Sequence, residues 1–317
     1  MIYLSCQPAI PRFTWEVEVY ITNFLQMGIS PKQIHVVCGL DSSWEDTPLD
    51  WIKLQNHFKD VNFFFYEDTR GETHGYQPSI QAHLLHKHWL ANPWLESMNI
   101  FFHDSDFMFT KRMDFTPFLS DDKWYFSDTI SYIGYDYISS KGDEVIDKMC
   151  EIAEIDKQIV KDNQLNSGGA QKLIKNVPIK YWEDVYDLQV RLWREVPPVS
   201  NKIKAEKDEL GEDYLVLQHW TMSMWAELWM AWKYDIETRV PKEFDFHFAI
   251  DPISEWEQRT FFHNAGVLQT QQDTHFFKGL FDSKLPYDYD LKDPNMNVVG
   301  FNYYHFIKYV GSKSCLK

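Results

Sequence analysis

Short apolar segments alternate with helical patterns through the first third of the chain, and this order restricts the fold more than any other feature. Four segments are rich in apolar, β-branched and aromatic residues and are typical of buried strands: residues 2–6, 34–38, 61–66 and 99–103. Apolar positions recur at helical spacing in the segments between them: residues 13–27, 51–59 and 78–90. This order predicts an α/β fold with a mostly parallel sheet flanked by helices.

The second half of the chain is less regular. Its patterns predict a strand, a helix, a turn with a helical pattern and an amphipathic helix at residues 124–127, 143–159, 163–176 and 222–234. The residues at 200–213 are rich in Lys, Glu and Asp and indicate an exposed, mobile loop. Because no repeat or clear linker is evident, we expect one domain over residues 1–317 with a C-terminal elaboration of helices and loops.

Charge and short motifs argue against several classes of protein. A net charge of −16 disfavours a protein that contacts nucleic acid backbones broadly. No Gly-x-Gly-x-x-Gly follows the first strand and no Walker loop is present, so dinucleotide and P-loop folds are unsupported. No Cys-x-x-Cys pair indicates a zinc site or a disulfide framework. No signal peptide or transmembrane run is evident, so we expect a soluble, cytoplasmic protein.

Two carboxylates follow the fourth predicted strand. Asp104 and Asp106 come directly after residues 99–103, and in extended chain they face the same side. Ligands of open α/β sheets bind beyond the carboxyl ends of the strands. Carboxylate oxygens suit Mg²⁺ or Mn²⁺, which keep open positions for substrate phosphates. The pattern therefore predicts a divalent cation site that carries a diphosphate, the alternative being a solvated strand end.

Three motifs in this order resemble a known family. The strand with its Asp-Ser-Asp, the Asn-Ser-Gly-Gly-Ala-Gln segment at 166–171 and the Phe-Phe-His-Asn-Ala-Gly segment at 261–266 resemble the GT-A glycosyltransferases. Within these, the chain is most similar to the peptidyl-serine galactosyltransferase and hydroxyproline arabinosyltransferase group, including phage-type relatives. The resemblance implies metal-dependent transfer of a sugar from a nucleotide-sugar, usually a UDP-sugar. Residues 1–127 would be the nucleotide-binding half, and 128–317 the half for donor sugar and acceptor.

The resemblance also implies a metal-ligand set. Asp106 would bind the cation, Asp104 would contact the cation or the donor ribose, and His263 would be the third protein ligand. Imidazole is acceptable to Mn²⁺. Since the chain has 12 His, an ordinary histidine is the alternative for His263. The expected cofactors are Mn²⁺ or Mg²⁺ and a nucleotide-sugar donor.

Further residues are expected to contact the donor. Gln7 and Pro8 follow the first strand, where the nucleotide base docks in this fold, and Trp15 lies off the apolar face of its helix and is an additional candidate. Lys278 would pair with the diphosphate leaving group, the alternative being a surface lysine. Glycines let a backbone approach a bulky group, so a wall of the donor-sugar pocket is expected from Asn166, Ser167, Gly168 and Gly169. The alternative for that segment is a turn before a helix.

Two acidic residues are candidates for the base. The Trp225-Ala226-Glu227 segment resembles a Trp-x-Glu element of the family. Helical projection places Trp225, a candidate donor contact, on the apolar arc and Glu227 off it, facing a cleft or water. Glu227 would orient the acceptor or act as base, and a solvated glutamate is the alternative. Asp162, close to the Asn-Ser-Gly-Gly segment, is the second candidate.

The expected activity is transfer of a hexosyl or pentosyl unit, with a leaning towards retention. The acceptor is expected to be a glycan or a protein hydroxyl, and the phage-type resemblance also allows a hydroxymethylated DNA base. Two other classes stay open: a metal-dependent nucleotide-sugar hydrolase or nucleotidyltransferase, and a non-catalytic sugar-binding module suited to the 17% aromatic content. No membrane partner is expected, and a phage-encoded protein would act in the host cytoplasm.

Overall fold

The computed structural model describes residues 1–317, except that the side chains of Glu72 and His74 lie outside the description. Its α-helices are α1 (Pro11–Gln26), α2 (Leu49–His57), α3 (Ser79–Ala91), α4 (Ile130–Ile133), α5 (Tyr135–Ser139), α6 (Asp143–Ala153), α7 (Lys157–Asp162), α8 (Ile179–Glu209), α9 (Met222–Lys233) and α10 (Gly300–Gly311). Its strands are β1 (Ile2–Pro8), β2 (Ile34–Asp41), β3 (Asn62–Asp68), β4 (Asn99–Phe102), β5 (Phe107–Phe109), β6 (Trp124–Asp128), β7 (Gly168–Lys175), β8 (Thr238–Arg239), β9 (Phe246–Phe248) and β10 (Phe261–His263).

The chain forms two compact units, here called unit one and unit two. Unit one consists of Met1–Thr69, Ile100–Pro117 and Glu243–Lys317. Unit two consists of Arg70–Asn99 and Phe118–Lys242.

A parallel sheet forms the centre of unit one. β1 lies between β2 and β4, and β3 pairs with the other side of β2. The register places Tyr3 opposite Ile34 on one side and Phe101 on the other. Side chains on both faces of β1 are buried, as in strands covered from both sides. The predicted α/β fold with a mostly parallel sheet flanked by helices is confirmed.

A second, small sheet in unit one was not anticipated from the sequence. β10 is its central strand, antiparallel to β5 and parallel to β9. Its strands have three residues each and are dominated by phenylalanine, which gives the sheet an aromatic core despite its size. This sheet brings the end of the Phe-Phe-His segment next to the segment that follows β4.

Unit two combines a short mixed sheet with a group of helices. β6 pairs antiparallel with β7 and parallel with β8. The register of β6 and β7 shifts between Phe126 and Ser127, and Ala170 in β7 has the left-handed φ of 53° that such a bulge requires. Helices α3, α6 and α9 all pack on α8, and α9 also packs on β7.

A long helix replaces the predicted mobile loop at residues 200–213. α8 continues to Glu209, so the prediction is wrong for residues 200–209. Lys202 and Glu206 lie 3.6 Å apart at (i, i+4) spacing, and Lys204 contacts Asp208 at the same spacing. Charged pairs four residues apart stabilise a helix. The composition that suggested a loop therefore supports a solvent-exposed helix.

Two other predictions need correction, and one helix was not predicted. The helical pattern expected at 163–176 is the strand β7, whose residues are almost all buried. The helix expected at 143–159 is interrupted at Glu154, which has a left-handed φ of 53°, and so becomes α6 and α7. The aromatic segment near the C-terminus forms α10, which was not predicted. Within the described residues, no helix is both long enough and apolar enough to cross a bilayer.

Candidate metal centre

Two strands of the small sheet bring the predicted metal ligands together. Asp104 and Asp106 lie in the turn between β4 and β5. The antiparallel register of β10 and β5 places His263 opposite Phe107, one residue after Asp106. The backbone N–H of Asn264 donates to the Asp106 carbonyl at 3.0 Å and extends this ladder beyond the strands. The backbone therefore holds the histidine and the carboxylates at a fixed separation.

The three side chains converge on one point. His263 Nε2 lies 3.2 Å from Asp106 Oδ1 and 3.5 Å from Asp104 Oδ2. One ligand atom from each residue lies within 4.8 Å of the other two. The Asp106 side chain is 5% exposed, whereas Asp104 is 31% exposed. One carboxylate is thus anchored in the interior while the other borders solvent, an arrangement that a ligand can approach from one side.

Lys278 contacts the second oxygen of the buried carboxylate. It lies in a short 3₁₀ turn (Lys278–Phe281), and its Nζ donates to Asp106 Oδ2. Its side chain is 28% exposed and is paired with a buried carboxylate, so the alternative of an unpaired surface lysine does not describe it. Asp106 is therefore bracketed by an imidazole on one oxygen and an ammonium on the other.

The pKa values reflect this bracketing. Burial alone would raise the pKa of Asp106, but the charges of Lys278 and His263 outweigh burial and hold the pKa well below its usual range. Burial tends to lower the pKa of His263, yet Asp106 and Asp104 raise it above its ordinary value. The pKa of Lys278 is also raised, since Asp106 and Glu16 outweigh the effect of burial. The site therefore keeps Asp106 ionised and attracts positive charge.

Sequence reasoning missed a third carboxylate beside this turn. Glu16 is 1% exposed, and its Oε2 accepts a hydrogen bond of 2.5 Å from the hydroxyl of Ser105, the residue between the two aspartates. Burial and the charge of Asp106 raise the pKa of Glu16 to about 7. A signal was present, because Glu16 is four residues before Tyr20 and therefore on the apolar face of α1.

The residues expected near the nucleotide base are packed inside unit one. Gln7 is 2% exposed, and its Nε2 donates to the Val37 carbonyl at 3.0 Å. Pro8 is half-buried at the end of β1. Trp15, expected off the apolar face, is fully buried with its ring edge-on to Phe276, so that expectation is wrong. The helical face of α1 is wider than the sequence pattern indicated.

The Asn-Ser-Gly-Gly segment leads into a strand of unit two. Asn166 is half-buried, and Ser167 is 1% exposed and donates to the Asn163 carbonyl at 3.0 Å. A Cβ on Gly168 would lie 2.3 Å from Phe126 Cβ, and one on Gly169 would lie 2.3 Å from Met224 Cε. Both glycines therefore permit close packing of β7 within its own unit, and the alternative of a turn before a helix is wrong.

Glu227 is buried, contrary to the expectation that it faces a cleft or water. Its carboxylate contacts the Nζ of Lys172, and the two side chains are 9% and 7% exposed. Trp225 is fully buried as predicted, and its indole N–H donates to the Ile133 carbonyl at 2.8 Å. Asp162 is exposed at the end of α7 and accepts from Gln158 Nε2 at 2.6 Å.

A second group with metal-ligand chemistry lies in unit one. His247, Asp251 and Glu255 place ligand atoms within 4.8 Å of one another. Arg259 Nη1 lies 2.8 Å from Asp251, 3.5 Å from Glu255 and 3.1 Å from His247 Nδ1. The guanidinium thus contacts all three side chains, and in this it differs from the group around Asp106.

Comparisons with known proteins give matches in structure. No protein-family model matches the sequence, and no curated protein matches it. The bifunctional glycosyltransferase WbbM, in its apo structure, matches 99% of this chain at 10% identity with a TM-score of 0.50, and the chain spans 50% of that protein's chain. The galactosyltransferase LgtC, solved with donor and acceptor sugar analogues, matches 98% of this chain and 96% of its own at 11% identity and a TM-score of 0.47. Mouse xyloside xylosyltransferase 1 matches 94% of this chain and 95% of its own at 9% identity and a TM-score of 0.36.

The match to WbbM concerns the fold, since an identity of 10% carries no information about substrates. It extends over nearly the whole of this chain. The narrower likeness to the galactosyl- and arabinosyltransferase group stays a prediction. The fold of the chain is therefore the GT-A glycosyltransferase fold that the sequence motifs implied.

Proposed function

We propose that the chain is a divalent-cation-dependent glycosyltransferase that moves a sugar from a nucleotide-sugar, with a UDP-sugar as the preferred donor, to a hydroxyl acceptor. The observation that carries the proposal is the convergence of two carboxylates and an imidazole on one point of a GT-A fold. Two oxygens and one nitrogen are a donor set that Mn²⁺ accepts and that leaves positions for phosphate oxygens.

The residues present fit such a cation. Asp106 Oδ1, an oxygen of Asp104 and His263 Nε2 would hold it, because these atoms already lie within 4.8 Å of one another. When bound, the cation would neutralise the diphosphate and polarise the leaving oxygen. His263 Nε2 faces both carboxylates, and Nδ1 is buried with no hydrogen-bond partner among the described residues.

Lys278 is the proposed partner of the diphosphate leaving group. Its ammonium contacts Asp106, so a diphosphate held beside that carboxylate would lie within its reach. An ammonium at this place stabilises negative charge that develops as the glycosidic bond breaks. Contacts of the donor sugar with residues 166–169 and Trp225, and of the base with Gln7 and Pro8, stay predictions from the sequence, and Gln7, Ser167 and Trp225 are buried in the structure.

In this proposal, residues 1–127 are the nucleotide-binding half and residues 128–317 the half for donor sugar and acceptor. Glu227 is the first candidate to orient or deprotonate the acceptor, and Asp162 is the second. Glu227 would act from its contact with Lys172, which keeps a charged partner beside the carboxylate. A retaining outcome, with a glycan, a protein hydroxyl or a hydroxymethylated DNA base as acceptor, completes the proposal.

A thermal-shift screen of nucleotide-sugars with Mn²⁺ tests the donor. A donor that binds the folded state raises the melting temperature by mass action, so a UDP-sugar should do so only when the cation is present. EDTA should abolish both the shift and the transfer of sugar, and added Mn²⁺ should restore them. Full activity in EDTA would contradict the cation's role.

The released products separate the proposal from its alternatives. Transfer yields a nucleoside diphosphate and a glycosylated acceptor. Free sugar in equal amount to the nucleotide would indicate a hydrolase, and pyrophosphate would indicate a nucleotidyltransferase. Glycan binding without any Mn²⁺ or nucleotide-sugar binding would indicate a sugar-binding module. If modified DNA is the acceptor, its binding should weaken steeply with salt, because phosphate contacts release counterions.

A further inference from the structure

Glu16 has no part in the chemistry proposed above, yet its carboxylate is bonded to the turn that carries two of the proposed ligands. It is 1% exposed, and a buried carboxylate is costly unless it is paired and hydrogen-bonded. Its bonded partner, the hydroxyl of Ser105, lies 2.5 Å from Oε2 and is itself 8% exposed. The carboxyl group of Glu16 is thus bonded, in the interior, to the one residue that separates Asp104 from Asp106.

Helix α1 holds this region at two places. Asn23 is two helical turns after Glu16 and therefore on the same face of α1. Its side-chain amide donates to the Phe109 carbonyl at 3.1 Å and accepts from the Phe109 N–H at 2.9 Å. One side chain of the helix therefore fixes β5, and the other fixes the turn before β5. Both ends of the short segment from Ser105 to Phe109 are bonded to one rigid element.

The surroundings of Glu16 keep its carboxylate oriented. Arg12 Nε lies 3.4 Å from Oε1, so the second oxygen is left for Ser105. Burial and the charge of Asp106 raise the pKa of Glu16 to about 7, and the charges of Lys278 and Arg12 oppose this rise. An acceptor held in this way restricts the Ser105 side chain to one rotamer, and this restricts the backbone on which both aspartates are mounted.

We propose that Glu16 is a positioning residue of the metal centre, which fixes the separation and direction of the Asp104 and Asp106 carboxylates through its hydrogen bond with Ser105. The inference rests on the proposed function, since it concerns affinity for the cation. Partners that orient metal ligands from outside the coordination sphere typically change metal affinity by about 10- to 100-fold when they are removed.

The test measures binding of Mn²⁺ alone by titration calorimetry, without donor or turnover. Ser105→Ala should weaken Mn²⁺ binding about tenfold, whereas Ser105→Thr keeps the hydroxyl and should stay close to the wild type. Glu16→Gln should lose up to about tenfold, since its amide oxygen is a weaker acceptor for the Ser105 hydroxyl than a carboxylate oxygen. The double variant Glu16→Gln/Ser105→Ala should lose no more than Ser105→Ala alone, because the interaction with Ser105 is already removed. If Glu16→Gln does not fold, the two Ser105 variants decide alone.

Glu18 supplies a matched control on the same helix. It is also 1% exposed, and its carboxylate accepts from the Tyr287 hydroxyl at 2.5 Å and the Ser314 hydroxyl at 2.7 Å. Neither partner belongs to the turn that carries Asp104 and Asp106. Glu18→Gln should lower the melting temperature and leave Mn²⁺ affinity unchanged.

The outcomes separate this inference from the proposed function. A wild-type protein that does not bind Mn²⁺ overturns the proposed function and the inference with it. Wild-type binding that Ser105→Ala leaves intact overturns the inference alone. Losses that multiply in the double variant, or an equal loss in Glu18→Gln, overturn it as well, since the effect would then be general to the fold.

Discussion

Each unit of the protein buries charged side chains, but the two balance them differently. In unit two, one ammonium meets one carboxylate in the Lys172–Glu227 pair, with both side chains less than a tenth exposed. In unit one, the carboxylates of Asp106 and Glu16 act on Lys278, Asp104 lies beside His263, and Arg12 borders Glu16. The pair is neutral by itself, whereas the group around Asp106 has more negative than permanent positive charge.

The difference indicates which group has negative charge that a further cation would balance. In the pair, the Lys172 ammonium offsets the desolvation of the Glu227 carboxylate. In unit one, the remaining negative charge raises the pKa of His263, so that a proton on its ring can balance the site. A metal ion and a proton on Nε2 exclude each other, because both use the same lone pair. The group is therefore suited to exchange a proton for a cation.

The largest expected effect comes from removing the buried carboxylate. Asp106→Ala should abolish Mn²⁺ binding and sugar transfer, because Asp106 is the one ligand fixed in the interior. Calorimetry and product formation measure the two effects, and circular dichroism checks the fold. Asp288→Ala, a change at a side chain that is 86% exposed, is the control. Turnover at the wild-type rate in Asp106→Ala would remove this residue from the site.

Breaking the Lys172–Glu227 pair of unit two should lower the stability of the fold. Glu227→Gln leaves the Lys172 ammonium buried without its carboxylate and should lower the free energy of unfolding by about 3–5 kcal/mol, measured by urea denaturation. Adding Lys172→Met should recover most of that loss, since no uncompensated charge is then left. Mn²⁺ affinity should not change. If Glu227 also orients or deprotonates the acceptor, turnover should fall in Glu227→Gln while Mn²⁺ binding persists. An unchanged free energy of unfolding would contradict the contrast drawn between the two units.

Removing the Lys278 ammonium should change the affinities for the cation and for the donor in opposite directions. Lys278→Met takes away a positive charge that competes for Asp106, so Mn²⁺ alone should bind roughly threefold tighter or more. The same change should weaken UDP-sugar binding about tenfold, because a charge-assisted contact to the diphosphate is lost. Lys284→Met, at a lysine near the Phe281 ring, serves as control. Equal weakening of both ligands would count against the proposed division of roles.

The sequence was sufficient for the parts of the fold with strong local patterns. The apolar strands β1 to β4 and the helix α9 lie close to their predicted positions, because their spacing and composition are each consistent with one structure. The proposed ligands could be named from short motifs. Their convergence was implied by the resemblance alone and could not be derived from local patterns, because it depends on the pairing of β5 with β10, strands of three residues whose register is set by distant parts of the chain.

The contacts that balance charge could not be predicted either, because their partners are far apart in the sequence. Glu16 and Ser105 are 89 positions apart in the chain, and Lys172 and Glu227 are 55 apart. Helical projection places a side chain on a face but does not say what packs there, so Glu227 was expected near water. The bulge at Ala170 also escapes a periodic pattern, since it changes the alternation of β7 within one residue.

The amide of Asn23 has one more consequence. β5 is an outer strand of the small sheet, and the N–H and carbonyl of Phe109 face away from β10. An unpaired strand of this kind is a template onto which another polypeptide can add and aggregate. The Asn23 side chain forms hydrogen bonds with both backbone groups, as a neighbouring strand would, so another polypeptide cannot pair with Phe109. The amide thereby protects this phenylalanine-rich edge of the sheet from aggregation.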